Sequence, residues 1–395
     1  MPARPRLALV TPWPPEQSGV ADYAELISAP LAASVDLDVI TAGAPAEYAQ
    51  PRDGRVRLVG ASEVGESLSG YDRVVYCLGN SRFHLHALEL LRRHPGAVHF
   101  HDVQLTGLYF CLAAAESPEH PHEALIERIE LIYAGELPAG ALAQGLPDWG
   151  RLAALGIYMT REIRGYAEQS FVHSHYARSM LDEDSLALAQ TPATVLPFGM
   201  PPLTREVRRR RRVGGEPLIL HLGVVNAIKG IASLIDAFAL VAARRARSRL
   251  VIAGPIDESG RRHWEGYASE HAPGARVELT GYLERERYSQ LLEDAAIAVQ
   301  LRSVATGEAS GAIADCLAAG LPTIVSDLGW AAELPAGAVV RVPVAAEPAL
   351  IAERIEALLE DRGARTRLAR AARAHAAACS FERVADAYLD ALGLR

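Results

Sequence analysis

Two carboxylates, Glu308 and Asp315, stand out in the run TGEASGAIADCLAAGLPTIVSD, in which most other residues are small or apolar. Glu308 precedes a predicted helix, and Asp315 lies inside it, ahead of Gly-Leu-Pro and a β-type segment. Acids at a helix start can cap its free N–H groups. They can equally accept hydrogen bonds from ligand hydroxyls, so the residue types alone leave both interpretations open.

Lys229 is the only lysine of the chain and directly precedes Gly230 and a predicted helix. A compact ammonium at a helix start, where N–H groups are unpaired, suits an anion such as a diphosphate. Ser18 and Gly19, after the first predicted strand, would likewise let a phosphate approach the backbone closely. A solvated helix start at Lys229 and an ordinary turn at Ser18-Gly19 are the simpler alternatives.

Short β-branched runs alternate along the chain with longer helical runs, which is typical of βαβ units on parallel sheets. The alternation stops near TREVRRRRRVGGE and restarts with PLILHLG. We therefore predict an α/β protein with two doubly wound, Rossmann-like domains that face a cleft. The predicted boundaries are 1–204 for the first domain and 205–375 for the second.

Several classes of protein are disfavoured by composition and motifs. The net charge of −8 argues against a nucleic-acid partner. No apolar run approaches the roughly 20 residues of a membrane span, so a cytoplasmic protein is expected. Neither GxGxxG after the first strand nor GxxxxGK[ST] occurs, which disfavours a nicotinamide dehydrogenase and a P-loop NTPase.

Metal-binding patterns are also missing from the sequence. The four cysteines lack CxxC spacing and are predicted to be buried free thiols. Asp182-Glu183-Asp184 imitates a metal-binding DxD motif, but it lies in a helical stretch and is predicted to be a solvated helix face. We expect neither a metal site nor a cofactor.

Ligands of open parallel sheets bind beyond the carboxyl ends of the strands. The loops predicted at such ends include TPWPPEQSGVADY, HFHDVQ, HLGVVNAIKG, AGPIDE, LTGYLE and RSVATGEASG. The second half, through HLGVVNAIKGIASLIDAF, RLVIAG, VELTGYL and GEASGAIADCLAAGLPTIVSDLGWAAELP, resembles the retaining glycosyltransferases of family 4 (group 1), which have the GT-B fold. The first half resembles them more loosely, through PPEQSGVADYA, CLGNSRFHLH and VHFHD.

The resemblance implies a hexosyltransferase that moves a sugar from a nucleoside diphosphate to an acceptor hydroxyl, retains the anomeric configuration and needs no metal. The donor would be a UDP-, GDP- or dTDP-hexose. Glu308 would hold the sugar hydroxyls and Asp315 the ribose. The implied catalytic residues are His101, Lys229 and Glu308. The implied donor-binding residues are Ser18, Gly19, Gly223, Asn226, Lys229, Gly254, Tyr282, Glu308, Ala309, Ser310, Gly311 and Asp315.

The sequence departs from the family pattern at two points. Family members have seven residues between the two acids, whereas six separate Glu308 from Asp315. They also carry Gly-Arg ahead of the lysine, where this chain has Gly223-Val224. Arg302 is a candidate for the compensating cation.

Other implications concern the acceptor and the chain ends. His84 and His86 are candidates to border the acceptor pocket, and Asp102 could orient His101. Residues 376–395 resemble the family helix that crosses back to the first domain. The arginine run 208–212 is either a solvated boundary or a patch for peripheral contact with anionic lipid. A nucleotide-sugar epimerase of the same fold and a sugar-nucleotide-binding pseudoenzyme are the alternative functions.

Overall fold

A computed structural model of the chain describes residues 3–64, 68–138, 140–185, 191–201 and 216–395. The chain divides into two compact α/β units. The first unit contains Met1–Gly199, Thr306–Ala309 and Phe381–Arg395, and the second contains Met200–Ala305 and Ser310–Ser380. The domain boundary predicted at 204/205 and the arginine run 208–212 lie outside the described residues.

The first unit is built on a seven-stranded sheet whose paired strands are all parallel, in the order β3-β2-β1-β4-β5-β6-β7. Helices on both faces explain why its interior strands are almost continuously buried, as in the run GAVHF of β5. The strands are β1 Arg6–Val10, β2 Asp36–Thr41, β3 Val56–Gly60, β4 Arg73–Leu78, β5 Gly96–Phe100, β6 Ala167–Val172 and β7 Thr194–Val195.

Most of the helices of the first unit connect these strands, and one comes from the end of the chain. Side-chain caps mark several of their starts, among them Ser18 before α1 and Ser174 before α7. The helices are α1 Gly19–Ala32, α2 Leu85–Arg93, α3 Thr106–Glu116, α4 Pro121–Ile132, α5 Trp149–Ala154, α6 Arg161–Tyr166, α7 His175–Asp184 and α15 Phe381–Leu392.

The second unit has a six-stranded parallel sheet in the order β10-β9-β8-β11-β12-β13. Its strands are β8 Leu218–Leu222, β9 Arg249–Ala253, β10 Arg276–Gly281, β11 Ile297–Gln300, β12 Thr323–Ser326 and β13 Val340–Val342. Its helices are α8 Ile231–Arg244, α9 Glu258–His271, α10 Arg285–Asp294, α11 Gly311–Ala318, α12 Trp330–Glu333, α13 Pro348–Glu360 and α14 Arg362–Ala378. Both sheets confirm the predicted doubly wound α/β class.

Helix α15 packs on α1 in the first unit, although the preceding helix α14 belongs to the second. Its apolar face, which includes Phe381, Val384 and Tyr388, joins Leu9 and Ile27 in one buried cluster. The C-terminal helix predicted from the resemblance thus returns to the first unit, but from Phe381 rather than from residue 376, because the chain up to Ser380 belongs to the second unit.

Two predictions about polar and sulfur-containing residues need correction. Asp184 is not on a solvated face: it is 3% exposed, and its carboxylate accepts hydrogen bonds from Tyr133 Oη and Thr160 Oγ1. Helical spacing turns this end of α7 toward the core, which the acidic triplet does not reveal. The cysteines are free thiols, but only Cys77 and Cys316 are buried, whereas Cys111 and Cys379 are half-buried.

Within the described ranges, no helix is both long enough and apolar enough to span a bilayer.

Candidate functional site

Lys229 ends a short 3-10 turn, Ala227–Lys229, and Gly230 then starts α8 in the left-handed conformation with φ 62°. A β-carbon on Gly230 would lie 2.8 Å from the Cβ of Leu301, so packing as well as φ requires glycine. The Lys-Gly pair is thus a structurally constrained helix entry, as the sequence predicted. Asn226 precedes the turn, and its buried Oδ1 has no hydrogen-bond partner among the described residues.

Arg302 lies in a loop that is hydrogen-bonded to the Lys229 turn. The N–H of Ser303 donates to the carbonyl of Ile228 at 2.9 Å, and the N–H of Arg302 donates to Ser326 Oγ at 2.9 Å. This pairing brings together two loops that follow different strands. The segment with the candidate compensating cation therefore lies beside the segment with the only lysine.

His221 is the next-to-last residue of β8. The positive charges of the same two cations, Lys229 and Arg302, act on its ring. Burial, together with smaller effects of the positive charges of Lys229 and Arg302, lowers the pKa of His221 to about 4. Its Nδ1 lies 2.9 Å from the carbonyl oxygen of Val299. Both cations therefore act at the carboxyl end of β8, where a bound anion would feel them together.

Glycines allow a close approach of backbone at the ends of β8, β9 and β10. A β-carbon on Gly254 would lie 2.0 Å from the carbonyl oxygen of Gly223, a contact that no side chain can make. Gly254 also donates to the carbonyl of Gly281 at 3.0 Å. Tyr282, which follows Gly281, is 56% exposed. The structure thus places Gly223, Gly254 and Tyr282 at one edge of the second sheet.

Ser310, rather than either acid, caps helix α11. Its Oγ accepts a hydrogen bond from the N–H of Ile313 at 3.4 Å, and Gly311 begins the helix. A β-carbon on Gly223 would lie 4.0 Å from the Cβ of Ala312, so the first turn of α11 adjoins the glycine-lined edge. This arrangement removes capping as the explanation of the two acids.

Asp315 lies within α11, as predicted, and accepts a 2.6 Å hydrogen bond from the hydroxyl of Tyr288 on α10. Tyr288 was not among the predicted site residues. Nothing in the run YSQLLEDA distinguishes it from any other half-buried tyrosine, because its partner lies on a different helix. The tyrosine holds the carboxylate in place within the second unit.

Glu308 differs from the prediction that placed it in the second domain. The segment Thr306–Ala309 belongs to the first unit, where the carbonyl of Thr306 accepts hydrogen bonds from the N–H groups of Val103 and Gln104 at 2.9 Å each. The Glu308 carboxylate turns back to accept from the N–H of Thr306 at 2.7 Å and from its hydroxyl. These backbone bonds fix Glu308 near the loop that follows β5.

His101 lies immediately after β5 in that same region. Its N–H donates to the carbonyl of Leu78 at 2.7 Å, and its ring is 7% exposed, 5.1 Å from the ring of Tyr23. Burial, with the neighbouring His173 and His84, holds the pKa of His101 well below its usual range. The imidazole is therefore neutral, which suits a hydrogen-bonding rather than a charge-stabilising role.

The neighbours of His101 are also held by the fold. Asp102 Oδ2 accepts from the N–H of Asn80 at 2.8 Å. His84 is 1% exposed, and its Nδ1 lies 2.9 Å from the carbonyl oxygen of Cys77. Burial lowers the pKa values of His84 and His86 to about 4. The predicted roles of Asp102 in orienting His101 and of the two histidines at an acceptor pocket stay predictions.

Ser18 and Gly19 form the amino-terminal end of α1. Ser18 Oγ accepts from the N–H of Val20 at 3.2 Å, which makes Ser18 the N-cap. A β-carbon on Gly19 would meet no atom within 4 Å, so the protein itself does not require glycine there. A closely approaching ligand would be a reason for it.

The structure thus divides the predicted residues between the units. The second unit contains Gly223, Asn226, Lys229, Gly254, Tyr282, Ser310, Gly311 and Asp315, and the first contains Ser18, Gly19, His101, Glu308 and Ala309. Within the second unit the loops around Lys229, Arg302 and Gly223 form one edge. It combines two cations, half-buried glycine backbone and a helix N-terminus, a combination that can bind a diphosphate.

Residues 204–375 match the family model of group 1 glycosyl transferases, a range that covers less than half of the chain. The match includes most of the second unit and also Thr306–Ala309 of the first unit, so it does not follow the division into units. None of the curated proteins matches the chain.

Solved structures match over the whole length. Anabaena HepE in complex with UDP-glucose is similar with a TM-score of 0.65 and 14% identity, over 98% of this chain and 99% of that one. The sucrose-phosphate synthase of Thermosynechococcus elongatus is similar with a TM-score of 0.64 and 17% identity, over 99% and 100%. WaaG, a glycosyltransferase of lipopolysaccharide biosynthesis, has a TM-score of 0.60 and 15% identity, over 98% and 99%. The fold of the chain is the two-domain GT-B fold of these glycosyltransferases.

Proposed function

We propose that this protein is a retaining hexosyltransferase that moves a hexose from a nucleoside-diphosphate sugar to an acceptor hydroxyl. The observation that carries the proposal is the hydrogen bond from Ser303 to Ile228, which joins the loop of Arg302 to the turn of Lys229 beyond the carboxyl end of β8. Departure of a diphosphate builds negative charge on its oxygens, and fixed cations at that point lower the barrier. Arg302 then supplies the charge that the family motif places in the Gly-Arg pair, which is Gly223-Val224 here.

The nucleotide side of the proposed site uses Asp315 and the glycine-lined strand ends. Asp315, held by Tyr288, would accept hydrogen bonds from the ribose hydroxyls. The backbone at Gly254 and the exposed Tyr282 would face the base. The relatives support the ligand class, since HepE was solved with UDP and with UDP-glucose. A UDP-, GDP- or dTDP-hexose is accordingly the proposed donor.

The sugar side of the proposed site uses residues of the first unit. Glu308 would exchange its bonds to Thr306 for hydroxyls of the transferred sugar, and the neutral His101 would contact the sugar near the transferred carbon. Ser18 and Gly19 would bring the amino-terminal end of α1 to the donor. The acceptor hydroxyl attacks on the face from which the diphosphate leaves, and a departing phosphate oxygen takes its proton.

Positive charge at the leaving group comes from side chains in this mechanism, so we propose transfer without a catalytic metal. We further propose a cytoplasmic enzyme, in keeping with the expectation from its sequence.

Thermal-shift screening with UDP-, GDP- and dTDP-glucose tests the ligand class, because a ligand that binds only the folded state raises the melting temperature. We expect one nucleotide to stabilise the protein, and its sugar conjugate to release nucleotide when an acceptor is added. Release without acceptor would favour an epimerase or hydrolysis. Binding without any turnover over a broad panel of acceptors would favour a pseudoenzyme, and no binding at all would refute the proposal.

A further inference from the structure

A buried cluster of sulfur and nitrogen ligands lies in the first unit, beneath the carboxyl edge of its sheet. Cys77 at the end of β4, His99 in β5 and His101 after β5 each direct one ligand atom toward the others, and these atoms lie within 4.8 Å of one another. We call these three residues the thiol–imidazole cluster. They line a small cavity whose other walls are apolar residues of β1 and α1 together with Tyr23 and Tyr388.

Several buried polar atoms in and beside the thiol–imidazole cluster have no hydrogen-bond partner among the described residues. The Nε2 atoms of His99, His101 and His173 and the hydroxyl of Tyr388 are buried and accept or donate no hydrogen bond to any described residue. Each of these four side chains is more than nine-tenths buried. A buried polar group without a hydrogen-bond partner destabilises the folded state by about 1–3 kcal/mol. Several such groups around one cavity would destabilise it strongly unless one ligand contacts them all.

We propose that the thiol–imidazole cluster binds one Zn²⁺ ion. A thiolate with imidazoles is the ligand set that zinc prefers, whereas Mg²⁺ and Ca²⁺ prefer oxygen. Ligand atoms on one tetrahedral zinc lie roughly 3.3–3.6 Å apart, given bonds of about 2.0–2.3 Å. The spread of 4.8 Å thus requires each ligand atom to move inward by about an ångström.

His173 is placed to serve as the fourth ligand. Its ring centroid lies 4.4 Å from that of His99 and 5.1 Å from that of His101. Its Nδ1 lies 3.4 Å from the carbonyl oxygen of Leu196, so an Nδ1–H donated there leaves the Nε2 lone pair available to a metal, to which His173 would have to move closer than it now lies. A backbone carbonyl that orients a histidine in this way is the usual support for a zinc ligand.

A nucleophilic or redox role of Cys77 fits the surroundings less well. The Cys77 thiol is buried, so a soluble reactant would not reach it. No second cysteine lies in the cluster, so a local disulfide cannot form. A bridging water molecule is the remaining alternative, because the cavity is of the size that holds one.

The metal content of the full-length protein tests the proposal independently of transfer activity. Protein prepared in zinc-containing medium and desalted should retain one zinc per chain by mass spectrometry. After removal of zinc with a chelator, Co²⁺ should give the intense visible bands of a tetrahedral site and a near-ultraviolet thiolate-to-Co²⁺ band. Absence of both the retained zinc and the Co²⁺ bands in the wild-type protein would refute the site and leave water as the occupant.

Variants then assign the ligands. Cys77→Ser should abolish the thiolate-to-Co²⁺ band, and Cys77→Ser or His99→Leu should weaken Co²⁺ binding by more than about 100-fold, since losing even a group that only orients a ligand costs about 10–100-fold. Cys111→Ser is the matched control on α3. Cys379→Ser tests a rival, because Cys379 Sγ lies 4.0 Å from Nε2 of His375. A thiolate band that survives Cys77→Ser and disappears in Cys379→Ser would overturn the assignment.

His101 is shared between this proposal and the proposed transferase function, which is why the variants avoid it. Failure of either proposal is distinguishable. Zinc without nucleotide binding would refute only the function, and nucleotide binding without zinc would refute only the metal site.

Discussion

Both sheets carry histidines near the carboxyl ends of interior strands, but their surroundings differ in charge. His221 of the second sheet lies near two cations, Lys229 and Arg302. Their positive charges add to the lowering of its pKa by burial. His99 of the first sheet lies among other imidazoles and a thiol. The comparison shows two different electrostatic environments at the strand ends of the two sheets: a cationic one in the second unit and a neutral one in the first.

The largest expected effect is the loss of stability that Gly254→Ala causes at the strand ends of the second unit. The new methyl group would meet the carbonyl oxygen of Gly223 at 2.0 Å, and φ at residue 254 is 154°, so backbone strain would add to the overlap. We expect a loss of more than about 4 kcal/mol in the stability of the second unit. Urea unfolding measures it, with Gly266→Ala on α9 as control, where nothing lies within 4 Å. Equal stability of the two variants would contradict the close-packed edge.

Lys229→Ala should come next, with kcat/KM for transfer reduced by about 100- to 1,000-fold, as when one preorganised charge-stabilising donor is lost. The melting temperature should change little, because Lys229 is only half-buried in a loop. Steady-state kinetics with the donor found by screening measure the loss. Arg262→Ala, which removes an exposed cation on α9 with a side-chain exposure of 70%, is the matched control. Near-normal turnover in Lys229→Ala would remove the lysine from the mechanism.

Asp315 in the second unit and Glu308 in the first should have different functions, one in nucleotide binding and the other in turnover. Asp315→Asn should weaken free nucleotide binding by about 1–3 kcal/mol, the usual cost of a hydrogen bond to a charged group. Tyr288→Phe should weaken it less, since the carboxylate remains. Glu308→Gln, in the first unit, should reduce turnover and leave the affinity for free nucleotide nearly unchanged. Calorimetry decides, and equal losses for Asp315→Asn and Glu308→Gln would refute the division of roles.

The dependence of stability on acid pH should reveal the lowered pKa of His221. Its pKa is about 4 in the folded protein and 6.5 as the ordinary value, so the unfolded chain binds the extra proton first as pH falls. Stability from this group is present above pH 6.5 and is lost toward pH 4, by about 2 kcal/mol between pH 7 and pH 5. His221→Gln keeps a donor for the Val299 carbonyl and should reduce the acid loss by that amount. Urea unfolding at both pH values gives the difference, and identical losses in variant and wild type would disprove the shift.

Gly19→Ala should have the smallest effect on stability and the clearest meaning for function. Alanine at this unobstructed helix position should stabilise the fold by up to about 1 kcal/mol. If donor phosphate approaches the backbone there, the same change should lower donor affinity while the stability rises. Unchanged donor affinity would remove Gly19 from the site.

The sequence predicts much of this architecture because alternation and helix-start signals are local. The Lys-Gly entry to α8, the helix around Asp315 and the strand before His101 are all visible in short windows. The alternation of His99 and His101 even predicts that both side chains lie on one face of the extended segment formed by β5 and the residue after it. Short sequence windows cannot predict which distant elements of the chain contact one another.

Each missed feature illustrates that limit. The Tyr288–Asp315 bond joins two helices, and the burial of Asp184 depends on Tyr133 and Thr160 from other segments. Cys77 and His173 lie near His99 and His101 only because the strand order places β4 and β6 on either side of β5. The assignment of Thr306–Ala309 to the first unit likewise rests on backbone bonds to residues 103 and 104.

The return of α15 to the first unit has a consequence for synthesis on the ribosome. The apolar face formed by Leu9, Ile27 and their neighbours is covered by Phe381–Leu392, a helix that is made only after the second unit. At about 5–20 residues per second, the nascent first unit waits roughly 10–40 seconds for that helix while the second is translated. During this interval it exposes an apolar surface to chaperones and to other nascent chains. Shortening the chain by its final helix should therefore harm the part that is made first.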